Sequence, residues 1–524
     1  MGFFFAAFSL VLSVSPLAED VAFPAHRDVG QHWDVMGAAQ FPDGPRTTLI
    51  AGTAEPNNQP VFSPAVSAME DHKDLPAART VFPLRVVPGN HYLVDGNGKP
   101  FLLIGDNAWS IAGRLQPQEI DQYLDDRRAR GFDSIMFDID HGTVDNPPYN
   151  LYGEAPFSST IGNANGSACP IASGQSDELY AKLAGKIKAL LRKGNCWDFS
   201  KPNETYWRNL DLVVQKATTK GFLLLIAPAY LGYGGKVEGW YQDMVANGPT
   251  ILYDYGAFVA NRYKNNNNIL WVEGGDFVPP PSGMPLVAAV ANGIRSVMPD
   301  SLQTGYPSRE LAAREYWAQE PWFSVNAIYS RWTPYHLAKA QFATSEMPFF
   351  LVESYYEGAS GANNARIRSE TYQTFLTGGF GYVMGNEALW PLQKGWQQAL
   401  DSPGAQGMTH LHDLFASHAW WLLRPDSGAL TVAGQSTEEH FAPAAIAADK
   451  SFAFVYLPAG EPLGLDMQSL AGPHVMARWY DPGSGAYTAV AGSPFNNVGV
   501  QTFQPPRNNA DGYRDWVLVL ESQS

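Results

Sequence analysis

ILWVEGGD at residues 269–276 and PFFLVESYYE at 348–357 follow one plan: a short, wholly apolar run closes on a carboxylate and passes into Gly-Gly or Ser-Tyr-Tyr. A run of four to five apolar residues bounded by turn signals reads as a strand buried on both faces, as in a parallel sheet. Working outward from these two, the same plan recurs at 101–105 (FLLIG), 134–139 (SIMFDI), 222–227 (FLLLIA), 302–306 (LQTGY), 323–328 (FSVNAI) and 380–384 (FGYVM). With 269–273 and 349–353 the count is eight, the number that closes a barrel.

Between the runs, 118–130, 204–219, 251–264, 333–345 and 366–377 space their apolar residues for one buried helix face. Alternation of strands and helices predicts an α/β fold, a (β/α)8 barrel over residues 83–417. Ahead of it, 84–100 carries Pro-Gly-Asn and Asp-Gly-Asn-Gly turn signals and reads as hairpins leading into the first strand. Past His418 the helical pattern stops, and FAFVYLP, VMARWYD and DWVLVLE between turn-rich segments predict a small β-sandwich over 418–524.

Residues 1–18, MGFFFAAFSLVLSVSPLA, have the length of a signal-peptide apolar region rather than of a membrane span. They predict a secreted or periplasmic protein with no membrane attachment after signal removal. Residues 19–82 show neither helical nor strand periodicity and read as a leader. Cys169 and Cys196, the only cysteines, stand 27 positions apart. In an oxidising compartment they would close a loop contributing roughly 3–4 kcal/mol; two free thiols are the other reading. Asn203-Glu-Thr and Asn165-Gly-Ser fit the glycan acceptor pattern.

A net charge of −16 with no long basic run excludes nucleic acid as a partner. An aromatic share of 13% suits clefts lined by flat rings. No HExxH or GxSxG occurs, and no glycine-rich phosphate loop stands between a strand and a helix.

In a (β/α)8 barrel, chemistry gathers where strands end. The candidate strands end in Asp106-Asn107-Ala-Trp109, Asp138-Ile-Asp140-His141, Glu273-Gly-Gly-Asp276, Glu353 and Asn386-Glu387. Acids, amides and aromatics at a barrel rim point to glycosidic cleavage, in which one carboxyl protonates the leaving oxygen and a second acts as nucleophile or base. Glu353 and Asp276 are the catalytic pair on this reading, with Glu273 competing with Asp276 for the acid role. Asp106, Asn107, Asp138, Asp140, His141, Glu273, Glu387 and the rings of Trp109, Tyr329 and Trp390 are the expected sugar contacts, with structural roles open to the acids and core roles to the rings. Tyr230, Tyr233 and Trp332 follow strands in the same way. Such chemistry needs no metal or organic cofactor; the expected partner is an oligo- or polysaccharide. A non-catalytic carbohydrate-binding or adhesion protein on a barrel scaffold is the alternative.

LRVVPGNHYLVDGNGKPFLLIGDNAWSI (84–111), WVEGGDF (271–277), PFFLVESYYEG (348–358) and GFGYVMGNEALW (379–390) resemble the apiosidase-like barrels of glycoside hydrolase family 140, over about residues 83–415. The tail, with HAWWLLRPD, FAFVYLPAG, ARWYDPGSGAYTAV and DWVLVLE, resembles the collagen-binding-type β-sandwich that commonly follows them. The resemblance implies a glycosidase with Asp276 as acid/base and Glu353 as nucleophile. It also implies a substrate class, since characterised members act on apiose-containing side chains of the pectin rhamnogalacturonan II. The 19–82 leader, the long 140–203 stretch and the acid at Glu273 depart from the family pattern.

Overall fold

The computed structural model describes residues 80–139, 149–162, 196–235 and 239–523. The expected signal at 1–18, nearly all of the 19–82 leader, Cys169 and most of the 140–203 stretch lie outside the described residues.

Eight parallel strands carry the fold: β1 (Leu103–Asn107), β2 (Ser134–Asp138), β3 (Leu223–Ala227), β4 (Ile269–Gly274), β5 (Leu302–Tyr306), β6 (Asn326–Tyr329), β7 (Phe349–Glu353) and β8 (Gly381–Asn386). Their ladder runs β5-β4-β3-β2-β1-β8-β7-β6. Its two ends meet where Val325 N–H donates to Gln303 O at 3.3 Å and Ala327 N–H to Thr304 Oγ1 at 3.1 Å. Each strand matches an apolar run read from the sequence to within three residues at either end. A three-stranded antiparallel sheet (Arg85–Val86, Leu93–Val94, Pro100–Phe101) precedes β1, where hairpins were expected.

Helices alternate with the strands: α1 (Pro117–Ala129), α2 (Glu204–Lys220), α3 (Tyr241–Tyr263), α4 (Met284–Val297), α5 (Pro334–Thr344), α6 (Asn364–Leu376) and α7 (Pro403–Ala416). Asn203, an expected glycan acceptor, is the N-cap of α2: its Oδ1 accepts from Thr205 N–H, and its Nδ2 donates to Glu154. Helix α3 starts ten residues before the expected 251, its first turns set off by Gly248 at φ 74 and Pro249. Helices α4 and α7 were not foreseen, although Leu286, Val287, Val290, Ala291 and Ile294 of α4 and Ala405, Met408, Leu411 and Phe415 of α7 recur at helical spacing and are buried.

The register fixes which way every side chain points, because partners in adjacent parallel strands share a face and neighbours along a strand alternate. Asp106 bonds Arg127 of α1, Gln303 bonds Ala291 O of α4, Asn326 bonds Gln341 of α5 and Tyr382 bonds Glu370 of α6, so these positions face the helices. Their neighbours Asn107, Thr304, Ala327 and Val383 therefore face the barrel axis.

Behind the barrel the chain forms antiparallel strands in two sheets. Leu423–Pro425, Ala444–Ala447, Phe452–Leu457, Trp516–Gln523, His474–Tyr480 and Tyr487–Ala489 run in that order in the larger one, and Thr431–Ala433, Leu463–Asp466 and Val500–Phe503 form the smaller. The central strand is buried on both faces with period 2. Phe452, Phe454 and Tyr456 join the barrel core, whereas Ala453, Val455 and Leu457 pack between the two sheets. Tyr372 of α6 stacks on Tyr456 with ring centroids 4.6 Å apart. Beside them Arg368 Nε and Nη2 reach Asp515 at 2.7 and 2.9 Å, and Nη1 reaches Asp511 at 2.7 Å. Arg368 and Asp515 are both buried. Among the described residues, no helix is long and apolar enough to cross a membrane.

Candidate active site

Along β7, Leu351 pairs with the helix-facing Tyr382, so strict alternation would turn Glu353 toward the helices as well. The pairing with β6 breaks that alternation. Ile328 is partnered by Leu351, but the next residue, Tyr329, is partnered by Glu353, leaving Val352 as an extra residue. Such a bulge re-aims the side chain that follows it. Glu353 consequently shares the axis-facing side with Tyr329. Tyr356 bonds the Glu353 carboxylate, and Trp109 Nε1 donates to Tyr356 Oη at 2.8 Å. Burial first, and then the Glu353 charge, pushes the Tyr356 phenol well above its ordinary range, so it stays a proton donor to Glu353.

Asp276 is placed by a different device. Gly274 (φ 81), Gly275 (φ 140) and Asp276 (φ 40) all lie in positive-φ backbone, which folds the chain back over the end of β4. At Gly275 a Cβ would stand 2.2 Å from the Tyr230 ring, so this position admits no side chain. Asp276 is itself in the left-handed region, which Asp tolerates better than most residues. Its carbonyl accepts from Gly234 N–H. Burial and the Asp276 charge together push the Tyr329 phenol up to about 12. Arg309 Nε donates to Tyr329 Oη at 3.2 Å and feels the Asp276 charge. Tyr329 is thus linked electrostatically to one carboxylate and by strand pairing to the other.

The wall around them is aromatic. Trp109 stacks on Tyr306 with centroids 5.7 Å apart and planes 12° apart, and lies 5.1 Å from Tyr230; Tyr306 lies 6.0 Å from Tyr329. Flat rings in this arrangement offer the apolar surface on which a sugar ring stacks. Tyr306 Oη and both amide atoms of Asn107 are buried and, among the described residues, make no hydrogen bond, which suits them to sugar hydroxyls or water.

The remaining expected sugar contacts divide. Asn107, Trp109 and Tyr329 are in this constellation, and Asp138 shares the axis-facing side through its pairing with Ala227. Asp106 does not belong to it. It faces α1, where it is fully buried, accepts from Tyr123 Oη at 2.6 Å and pairs with Arg127 at 3.3 Å. Glu273 is likewise corrected: its register partner Gly305 lies against Trp317 on the helix side, so Glu273 points outward between sheet and helices. Burial pushes the Glu273 carboxyl well above the ordinary carboxylate range. Both acids sit at odd strand positions relative to the axis-facing residues, a parity the isolated sequence runs do not reveal. Glu387 is exposed, its N–H donating to Glu357 O, and Trp390 is half-buried with its carbonyl accepting from Ser110 N–H. Asp140 and His141 lie outside the described residues.

Sequence reasoning missed Tyr306, Tyr356 and Arg309. Tyr356 stands in the quoted ESYYE run, three residues beyond Glu353. Its signal was the tyrosine pair itself, but nothing in the spacing says which ring turns inward. Cys196 is disulfide-bonded, and the chain's other cysteine, Cys169, lies outside the described residues.

The Apiosidase-like catalytic domain family matches residues 88–422, and a collagen-binding-type domain, named for a domain of a collagenase, matches 424–521. In fold the chain is similar to a family 5 glycoside hydrolase from Bacteroides vulgatus (TM-score 0.67, 20% identity, covering 84% of this chain and 93% of that one). It is similar also to a protein described as a glycoside hydrolase (TM-score 0.66, 21% identity, covering 84% and 97%). No curated protein matches the chain in sequence. With the family matched across well over half its length and two carboxylates held at the ends of β4 and β7, the chain belongs to the apiosidase-like family and is a glycoside hydrolase.

Proposed function

We propose that the chain cleaves its glycosidic bond with retention, Glu353 acting as nucleophile and Asp276 as acid/base. Glu353 attacks the anomeric carbon while Asp276 gives its proton to the departing oxygen. A glycosyl ester on Glu353 results. Asp276, now ionised, takes a proton from water, which attacks the same carbon and returns Glu353 as a carboxylate. The observation that carries this reading is the bulge at Val352, which turns Glu353 to the side of the sheet shared by Tyr329, beside which Asp276 lies. Tyr356 holds the nucleophile in place, and the Trp109, Tyr230 and Tyr306 rings stack the sugar and keep bulk water from the ester.

The proposed substrate is a plant or microbial polysaccharide, with apiose-bearing pectic side chains the first choice because the family is apiosidase-like. Export from the cytoplasm is proposed with it, supported by the apolar N-terminal stretch and by the disulfide at Cys196. The test is sugar release, followed by chromatography, from pectic, arabinan and galactan oligosaccharides by the wild-type protein and by Glu353→Ala. Release by the wild type alone supports the reading; equal release by both refutes Glu353 as nucleophile.

A further inference from the structure

Helix α6 presents a buried carboxylate, Glu370, to the back of the segment that follows Glu353. Its Oε1 accepts from Arg366 Nε at 2.8 Å, one turn earlier on the same helix. Its Oε2 accepts from Tyr382 Oη at 3.4 Å. Tyr355 N–H donates to it, and Ser354 Oγ shares a further hydrogen bond with it. Ser354 Oγ also donates to Ser330 O at 2.5 Å. Burial opposes the charge on Glu370, whereas the Arg366 guanidinium and the Ser354 and Tyr355 hydrogen bonds favour it. The balance leaves the carboxyl pushed up to about 7, burial being the largest cause.

Arg366 extends the same node to the neighbouring loop. Its Nη2 donates to Arg331 O at 2.7 Å and to Trp332 O, and its guanidinium lies 4.9 Å from the centre of the Tyr355 ring. One ion pair on α6 therefore grips both segments that leave the barrel mouth beside the candidate site: 330–332 after Tyr329, and 354–355 after Glu353.

We propose that Arg366 and Glu370 are positioning residues for the nucleophile, clamping the β6 and β7 exits so that the bulge keeps Glu353 turned toward the barrel axis. This deepens the reading of Glu353 given above and rests on it. A site held by locked supporting groups loses turnover, more than substrate affinity, when the support is removed.

The test combines a readout that needs no substrate with one that does. Hydrogen–deuterium exchange of the 354–358 segment is compared in wild type, Glu370→Ala, Glu370→Gln and Arg366→Lys. Kinetics follow on whichever pectic, arabinan or galactan oligosaccharide the wild type cleaves. Glu370→Ala is expected to speed exchange in that segment at least tenfold and to lower kcat at least tenfold with KM within twofold. Glu370→Gln retains an acceptor for Tyr355 N–H and is expected to restore kcat to within about threefold. Should Glu370→Ala fail to fold, Arg366→Lys, which keeps the charge but not the fork, carries the same expectation of faster exchange and lower kcat. Unchanged exchange and kcat in Glu370→Ala or Arg366→Lys, or a change in KM alone, would overturn the clamp. Activity surviving in Glu353→Ala would instead refute the nucleophile assignment, and exchange would still decide whether the clamp exists.

Discussion

Tyr329 and Glu353 are register partners across β6 and β7 only because Val352 is bulged out between them. One extra residue separates a carboxylate facing the barrel axis from one buried against α6. The same sheet shows the other outcome at Glu273, an unbulged strand acid that faces the helices, its carboxyl pushed well up by burial.

Tyr356 links Glu353 to Trp109 through a single phenol. A hydrogen bond to a charged group contributes about 1.5–3 kcal/mol, which corresponds to roughly tenfold to a hundredfold in rate if it acts in the transition state. Tyr356→Phe should lower kcat by that order with little change in KM, measured by initial rates of sugar release. An unchanged kcat would remove Tyr356 from the site.

The sandwich is fastened to the barrel by a buried ion pair. Arg368 and Asp515 are both 2% exposed and bidentately bonded. Removing one partner of such a pair leaves an uncompensated buried charge and costs about 3–5 kcal/mol. Arg368→Ala should therefore lower stability by that amount in urea unfolding, whereas the double variant Arg368→Met/Asp515→Leu should recover most of it. A loss below about 1 kcal/mol in the single variant would mean that the two layers do not depend on this pair.

Glu370 also sets a pH dependence. Its folded-state pKa, about 7, lies above the ordinary carboxylate value because burial disfavours the charge. From about pH 4.5 to 7 the unfolded chain has released this proton while the folded chain keeps it. Stability accordingly falls as pH rises through that window, by about 1.4 kcal/mol per unit for one such group. Glu370→Gln should flatten the slope, measured as unfolding free energy at pH 5 and pH 7. Parallel curves for the two proteins would contradict it.

Much of the barrel was legible in the sequence because buried parallel strands are nearly continuous apolar runs, and all eight stood out as such. The site was legible at the level of strand ends, which is how Glu353, Asp276, Asn107 and Trp109 could be named. What the runs conceal is parity. Asp106 and Asn107 are adjacent at one strand end, yet one faces α1 and the other the axis; only pairing with neighbouring strands decides which. The bulge at Val352 is equally silent, since FFLVE reads as an ordinary strand. Helices α4 and α7 were legible too, from Leu286, Val290 and Ile294 and from Met408, Leu411 and Phe415 at helical spacing, and were overlooked. Tyr306 and Arg309 come together with Tyr329 from separate β–α units, a proximity that no local spacing encodes.

The account turns on Glu353 being the group that bonds to the sugar. The most direct measurement is peptide mass spectrometry of the protein after incubation with a 2-deoxy-2-fluoro glycoside of whichever sugar the wild type releases. The account predicts a stoichiometric glycosyl adduct on the peptide that carries Glu353, absent in Glu353→Ala. An adduct on a different carboxylate, or continued turnover with product of inverted configuration and no adduct, would contradict it.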